Sequence, residues 1–173
     1  MFSINIQGKE ISLNDIRSEH LPLILGWYNK TDEFKYATGI YAPMKLEELR
    51  KRFKNINISN TEFFAGIYIN NGTIIGIIKG SIQYQNKNAV WISSIVIDNL
   101  YQNKGYGSIA VDLLIKHIKS KIQATIAYLV VVEDNEKGKQ FWIRQKFRIL
   151  KSMEKHLGIQ KSRHSVIIMY KRI

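Results

Sequence analysis

The chain has no cysteine among its 173 residues, only two prolines, and 14 acidic residues against 26 Lys and Arg. The missing thiols exclude disulfides and thiolate metal sites. Both prolines, Pro22 and Pro43, stand in the N-terminal third, and no Pro- or Ser-rich linker, repeat or low-complexity tract follows. Long hydrophobic runs are absent too. The longest, Ile126 to Val132, is far shorter than the ~20 residues a bilayer span needs. Met1 to Ile6 alternates like a strand and has no basic leader region, so no signal peptide is read and the cytoplasm is the expected location. What is present is ordinary for a globular protein: 45% hydrophobic and 23% charged residues. One domain over residues 1–173, with a full core, is the expectation.

The shortage of acid gives a net charge of +12, which invites a nucleic-acid reading. Its distribution argues otherwise. Lys137 to Ile173 holds eleven of the basic residues and one acid, Glu154, while the remainder is nearly balanced. A basic C-terminal third suits a small polyanionic ligand as well as it suits a nucleic acid. No arginine-rich arm, zinc-ligand spacing or stacked-aromatic RNA motif appears. A basic nucleic-acid-binding protein therefore stays an alternative, and nucleic acid is not the expected partner. No membrane partner and no metal are expected.

Periodicity gives an alternating order of elements. Phe2 to Ile6 reads as a strand, followed by a helix from about Asn14 or Ser18 that carries Leu21, Ile24, Trp27 and Tyr28. Thr31 to Pro43 reads as an aromatic, polar loop, and Lys45 to Asn57 as a second helix. Strands over 63–69 and 73–84 are joined by Asn70-Asn71-Gly72, a strong hairpin signal. A link at 86–88 leads into the strand ending at Ile97. Ala124 to Val132 reads as a strand buried on both faces. Asn135 can cap a helix ending near Lys146, and 147–153 with 165–170 closes the sheet.

The informative segment is Gln102-Asn103-Lys104-Gly105-Tyr106-Gly107. The β-branched run Val90 to Ile97 precedes it. Ile109, Ala110, Leu113, Leu114, His117 and Ile118 follow at helical spacing. Strand, glycine loop and helix in that order point backbone N–H groups and the positive end of a helix dipole at one spot. A phosphate is the natural occupant. Gly105 and Gly107 permit close backbone approach, and Lys104 adds a cation.

This loop resembles the acetyl-CoA pyrophosphate loop of the GNAT superfamily of N-acetyltransferases, Gln/Arg-x-x-Gly-x-Gly/Ala. Ile97 and Tyr101 extend the match upstream. A second family motif, Asn-x-x-Ala-x-x-Phe-Tyr-x-x-x-Gly-Phe, is matched by Asn135, Phe141 and Phe147, with Gly138 for Ala, Trp142 for Tyr and Lys146 for Gly. The resemblance implies an α/β GNAT fold: a mixed, mostly antiparallel sheet flanked by helices and splayed between its fourth and fifth strands. It implies acetyl-CoA as donor, held by Gln102, Asn103, Lys104, Gly105, Tyr106, Gly107 and Ser108. The backbone of Ile95 and Ile97 would pair with pantetheine. Asn135 would sit near pantetheine or serve only as a helix cap. Trp142 would pack against pantetheine or fill core. Without cysteine there is no acyl-cysteine relay, so transfer would be direct, in a ternary complex. Dimers are common in the family, making a homodimer a possible assembly, although no interface is evident in the sequence.

The catalytic groups are less conventional. The position of the base in the histone-acetylating branch falls on Trp91, and the family's usual acid falls on Trp142. Glu133 and Asp134, at the end of the fifth strand, are the candidates for a base acting through water, and Glu133 is the expected catalytic residue. A CoA-binding protein without turnover is the alternative this substitution pattern raises. Leu21 to Lys30 and the Leu46-Glu47-Glu48 helix resemble the branch containing ribosomal-protein, polyamine and aminoglycoside acetyltransferases. Trp27, Tyr28 and Tyr36, with Phe34 and Tyr41 nearby, are expected at the acceptor site. An α-amine, with a pKa near ~8, loses its proton more cheaply than a lysine-like amine. A peptide N-terminus or small amine therefore ranks above a polyamine, unless Asp32, Glu33, Glu47 and Glu48 gather at the pocket.

Overall fold

The computed structural model describes residues 1–84, 88–156 and 163–173, with side chains for all of these except 153–156 and 163–164. The hairpin link at Asn86 and Lys87 lies outside the described residues.

A single sheet carries the fold. Its strands are β1 (Ile6–Gln7), β2 (Ile11–Asp15), β3 (Glu62–Ile69), β4 (Ile74–Gln83), β5 (Ala89–Ile97), β6 (Ile126–Val132), β7 (Arg148–His156) and β8 (Arg163–Arg172). They lie in the order β1-β2-β3-β4-β5-β6-β8-β7. Every pairing is antiparallel except β5 with β6. The helices are α1 (Leu21–Tyr28), α2 (Thr31–Thr38), α3 (Leu46–Ile58), α4 (Tyr106–Ile122) and α5 (Glu136–Arg144).

The two layers follow from two apolar faces. On one face Ala110, Val111, Leu114 and Ile118 of α4 and Trp142 of α5 pack on Val90, Ile92, Ala127 and Leu129. On the other, Leu21, Ile24, Trp27 and Tyr28 of α1, Phe34 of α2, and Leu49 and Phe53 of α3 cover Phe64, Ile77 and Val96. Strands β5 and β6, the fourth and fifth of the sequence reading, pair only from Ala89–Ile126 to Ile92–Leu129 and then part. Strand β5 also carries a bulge: Gly80 faces Ile92 and Lys79 faces Ser94, leaving Ser93 as the extra residue. Bulge and splay together open the sheet where the glycine loop begins.

Three expectations need correction. The N-terminal strand is the short Ile6–Gln7 pair rather than Phe2 to Ile6. Of the two helix starts, Asn14 lies in the strand Ile11–Asp15, because Ile11 and Leu13 alternate into the core, and helical structure begins at Ser18 with a 3-10 turn running into α1. Thr31–Thr38 is a helix, not a loop. It buries only Phe34, so its helical stripe is too narrow to read, but Asp32 and Glu33 favour its positive end. No helix among the described residues is long and apolar enough to cross a membrane.

Candidate active site

The site is assembled from the end of β5 forward. Asp98 Oδ1 accepts from the Leu100 N–H at 3.0 Å and starts a 3-10 turn over Asn99–Tyr101. Gln102 Nε2 then donates to the Ile97 carbonyl at 2.9 Å and to Asn99 Oδ1 at 2.8 Å. The Gln of the motif thus ties the loop back to its strand. Asn103 and Gly105 both take the left-handed region, with φ 59° and φ 85°. Gly105 is the N-cap of α4 and offers no side-chain acceptor to the first turn. The opening N–H groups of α4 therefore face the loop with no side-chain cap, as an anion site requires.

Beside the loop, α5 is tied to α4 by Gln145 Nε2 donating to Ser108 Oγ at 2.7 Å. Asn135 Oδ1 accepts from the Gly138 N–H at 2.9 Å, so Asn135 does cap α5. A Cβ on residue 138 would meet the Asn135 side chain at 2.3–2.9 Å, which explains glycine there. Asn135 also lines the cleft. Trp142, buried between Phe141 and Phe147 with centroids at 4.8 and 5.2 Å, fills core and forms cleft wall together.

These parts surround one cleft of about 1110 Å3 that runs through the splay between β5 and β6. Among its walls are Ile95, Ile97, Gln102, Asn103, Gly105, Tyr106, Gly107, Ser108, Asn135 and Trp142, gathered from separate elements. Lys104 is absent from the lining; its ammonium lies 5.3 Å over the Tyr101 ring.

Helix α2 forms a further wall, with Asp32, Glu33, Phe34 and Tyr36. Asn99 Nδ2 donates to Glu33 Oε2 at 2.5 Å, holding α2 against the loop. Lys137 and Arg144 of α5 and the N-terminus of α4 make one part of the cleft electropositive, whereas Asp32 and Glu33 make the α2 part acidic. Glu47 and Glu48 do not line it.

Several sequence expectations fall elsewhere. Trp27 and Tyr28 do not line the cleft. They are 3% and 2% exposed, packed under α1, and are core rather than acceptor residues; Tyr36 alone of the three reaches the cleft. Glu133 is exposed and outside the lining, its N–H donating to the Ser165 carbonyl as β6 ends. The next residue, Asp134, lines the cleft instead. Asp134 also bears on Tyr41: burial raises that phenol above its ordinary value, with Tyr36 and Asp134 adding to the rise. Trp91 stacks on Tyr128 at 4.9 Å and donates to Gln83 Oε1 at 3.1 Å. Among the described residues there is no group of three His, Cys, Asp or Glu able to hold a metal.

Ser93 and Ser94 are the polar neighbours of Trp91 in the sequence, neither a credible base without a partner, and the structure sets Ser94 apart. Its side chain is buried, unpartnered and in the cleft wall. Only the bulge brings it there, and a bulge has no signature in a run of apolar residues.

Residues 25–147 match the model of the acetyltransferase (GNAT) family. The chain belongs to that family. Membership makes it an N-acetyltransferase, and the sheet order and splay are those of the GNAT fold. No curated protein matches in sequence. Among solved structures, the chain is similar to spermidine N-acetyltransferase from Vibrio cholerae in complex with CoA and spermine. Identity there is 17%, coverage 95% of this chain and 96% of that one, and the TM-score 0.82. It is similar to the Salmonella typhimurium acetyltransferase that modifies the N-terminal serine of 50S ribosomal subunit protein L7/L12, at 19% identity, 96% coverage of both chains and TM-score 0.82. A ribosomal L7/L12 α-N-protein acetyltransferase in complex with coenzyme A gives 18% identity, 98% coverage of both and TM-score 0.82. At these identities the likeness is one of fold.

Proposed function

We propose that this N-acetyltransferase moves an acetyl group from acetyl-CoA directly to a primary amine within a ternary complex. The observation that carries the reading is the shared cleft. A left-handed Gly105 presents the uncapped N-terminus of α4 at one part of it, and the acids of α2 stand at another. The fit to CoA rests on the chain's own groups. The α4 amides, Lys137 and Arg144 suit phosphates, and the edges of β5 and β6 left unpaired by the splay suit the amides of an extended arm. Solved relatives of this fold bind CoA, which supports the same donor here. Acetyl-CoA supplies the acetyl group as an activated thioester. The chain holds no cysteine to take that group over, which supports direct transfer. In this reading the enzyme works in the cytoplasm.

For the acceptor, Asp32 and Glu33 favour an amine that arrives protonated, and Tyr36 offers a ring beside it. This moves cationic acceptors, polyamines included, level with peptide N-termini. The fold's solved relatives act on both classes. Asp134 adds a further carboxylate to the cleft lining, where it favours a cationic amine.

The test is thermal stability with and without acetyl-CoA, then CoA release with peptides bearing a free α-amine, spermidine, aminoglycosides and amino acids. A stability increase with turnover is expected. An increase without turnover on any amine would leave the binding-only reading, and no increase would remove the assignment of the loop.

A further inference from the structure

Two buried hydroxyls and one partly buried lysine stand without hydrogen-bond partners where α1 covers the sheet. Ser94 is 4% exposed, and its hydroxyl has no hydrogen-bond partner. The Tyr28 hydroxyl is enclosed and equally unpartnered. Lys79 completes the group. Its ammonium lies 5.8 Å from the Tyr28 ring centroid, and among the described residues it makes no ion pair or hydrogen bond. Buried hydroxyls are normally satisfied. Two that are not, beside a lysine with no counter-charge, call for a role.

Their arrangement suggests one. Lys79 of β4 and Ser94 of β5 are cross-strand partners at the bulge. Paired residues on one face stand about 5 Å apart at Cβ, within reach of a lysine stem. Ser94 opens onto the cleft, whereas Lys79 does not line it. A hydroxyl therefore stands between the cleft and a partly buried amine, in a family member whose usual base and acid positions are Trp91 and Trp142.

We propose that Lys79, as the free base, is the final proton acceptor for the amine substrate, and that Ser94 passes the proton to it. The inference rests on the acetyltransferase reading above. The incoming R–NH3+ gives a proton to Ser94 Oγ while Ser94 gives its own hydroxyl proton to the lone pair of Lys79 Nζ. The products are a free amine able to attack, an unchanged serine and a lysine ammonium, which later returns its proton to water. Protons and charge balance. Ser94 is the catalytic residue, since it faces the substrate; Lys79 acts through it.

The surroundings of Lys79 favour the free base. Burial lowers its pKa from the ordinary 10.5, Arg52 of α3 lowers it further, and Glu62 of β3 opposes both more weakly. Tyr28 of α1 adds no charge, because burial pushes its phenol well above the ordinary range.

The experiment uses the full chain as wild type, Lys79→Met, Lys79→Arg, Ser94→Ala and Ser94→Thr. The first measurement is an NMR titration of the Lys79 side chain, assigned by its loss in Lys79→Met and needing neither acetyl-CoA nor turnover. The expected result is a titration below the ordinary lysine range; an ordinary titration overturns the proton path. The second is the pH profile of kcat/KM with whichever acceptor the wild type uses. Activity should fall on the acid side with the Lys79 titration. Both Lys79 variants and Ser94→Ala should lose about 100-fold and lose that limb, while Ser94→Thr, which keeps the hydroxyl, retains the limb and all four keep the acetyl-CoA stability increase. An active Lys79→Arg, or an unchanged limb in Lys79→Met, overturns the proposal. Absence of the acetyl-CoA increase in the wild type is the separate failure of the acetyltransferase reading, and the proton path falls with it.

Discussion

The indole N–H of Trp27 donates to Asp98 Oδ2 at 2.7 Å, across 71 positions of sequence. The other oxygen of Asp98 accepts from Leu100 and so begins the turn that leads into the glycine loop. A core residue of α1 and the start of the loop therefore hang on one carboxylate.

Replacing Trp27 with Phe should remove a hydrogen bond to a charged group, costing about 1.5–3 kcal/mol of stability. It should also weaken acetyl-CoA binding, although Trp27 does not line the cleft. Urea unfolding and a ligand titration on the same variant check both effects. Unaltered binding would separate the loop from α1.

Gly105→Val tests the loop directly. A Cβ at that position meets nothing within 4 Å, so no clash is introduced. The change acts only through φ 85°, which a β-branched residue adopts at a cost of about 1–2 kcal/mol. The fold should survive, seen by circular dichroism, and the acetyl-CoA stability increase should disappear.

Asp134 and Glu133 are adjacent carboxylates with different surroundings. Asp134→Asn removes a charge from the cleft lining and should raise KM for a cationic acceptor, and Glu133→Gln should leave KM near wild type. The reverse outcome in steady-state assays would restore Glu133.

Lys79 also makes a prediction about stability. Its folded pKa lies below the unfolded value of 10.5. As pH falls below that value, the unfolded chain takes up the proton first, so the wild type loses stability through the window between the two pKa values. Lys79→Met should then melt higher than the wild type at neutral pH, with the gap closing as pH approaches 10.5. A residue kept for packing would show the opposite sign.

Local chemistry was readable in the sequence. The strand, glycine loop and helix from Val90 to Ile118, and the Asn135 cap, depend on neighbouring residues, so spacing sufficed. What depends on distant contacts was not readable. Trp27 and Tyr28 look like pocket aromatics until α1 is laid on Phe64 and Val96. Helix α2 shows one buried residue, too few for a period, yet it supplies the acids of the cleft. That Asp134 and not Glu133 lines the cleft shows only once the end of β6 is tied to Ser165. The pairing of Lys79 with Ser94 exists only because a bulge shifts register by one residue.

The short parallel pairing of β5 and β6 has a consequence for dynamics. After Ile92 and Leu129 each strand presents an inward edge whose amides no neighbouring strand holds. Such amides exchange with solvent far faster than those of a complete ladder. An extended ligand arm lying between them would act as a temporary ninth strand, slowing exchange in residues 93–97 and 130–132 and joining two half-sheets into one cooperative unit.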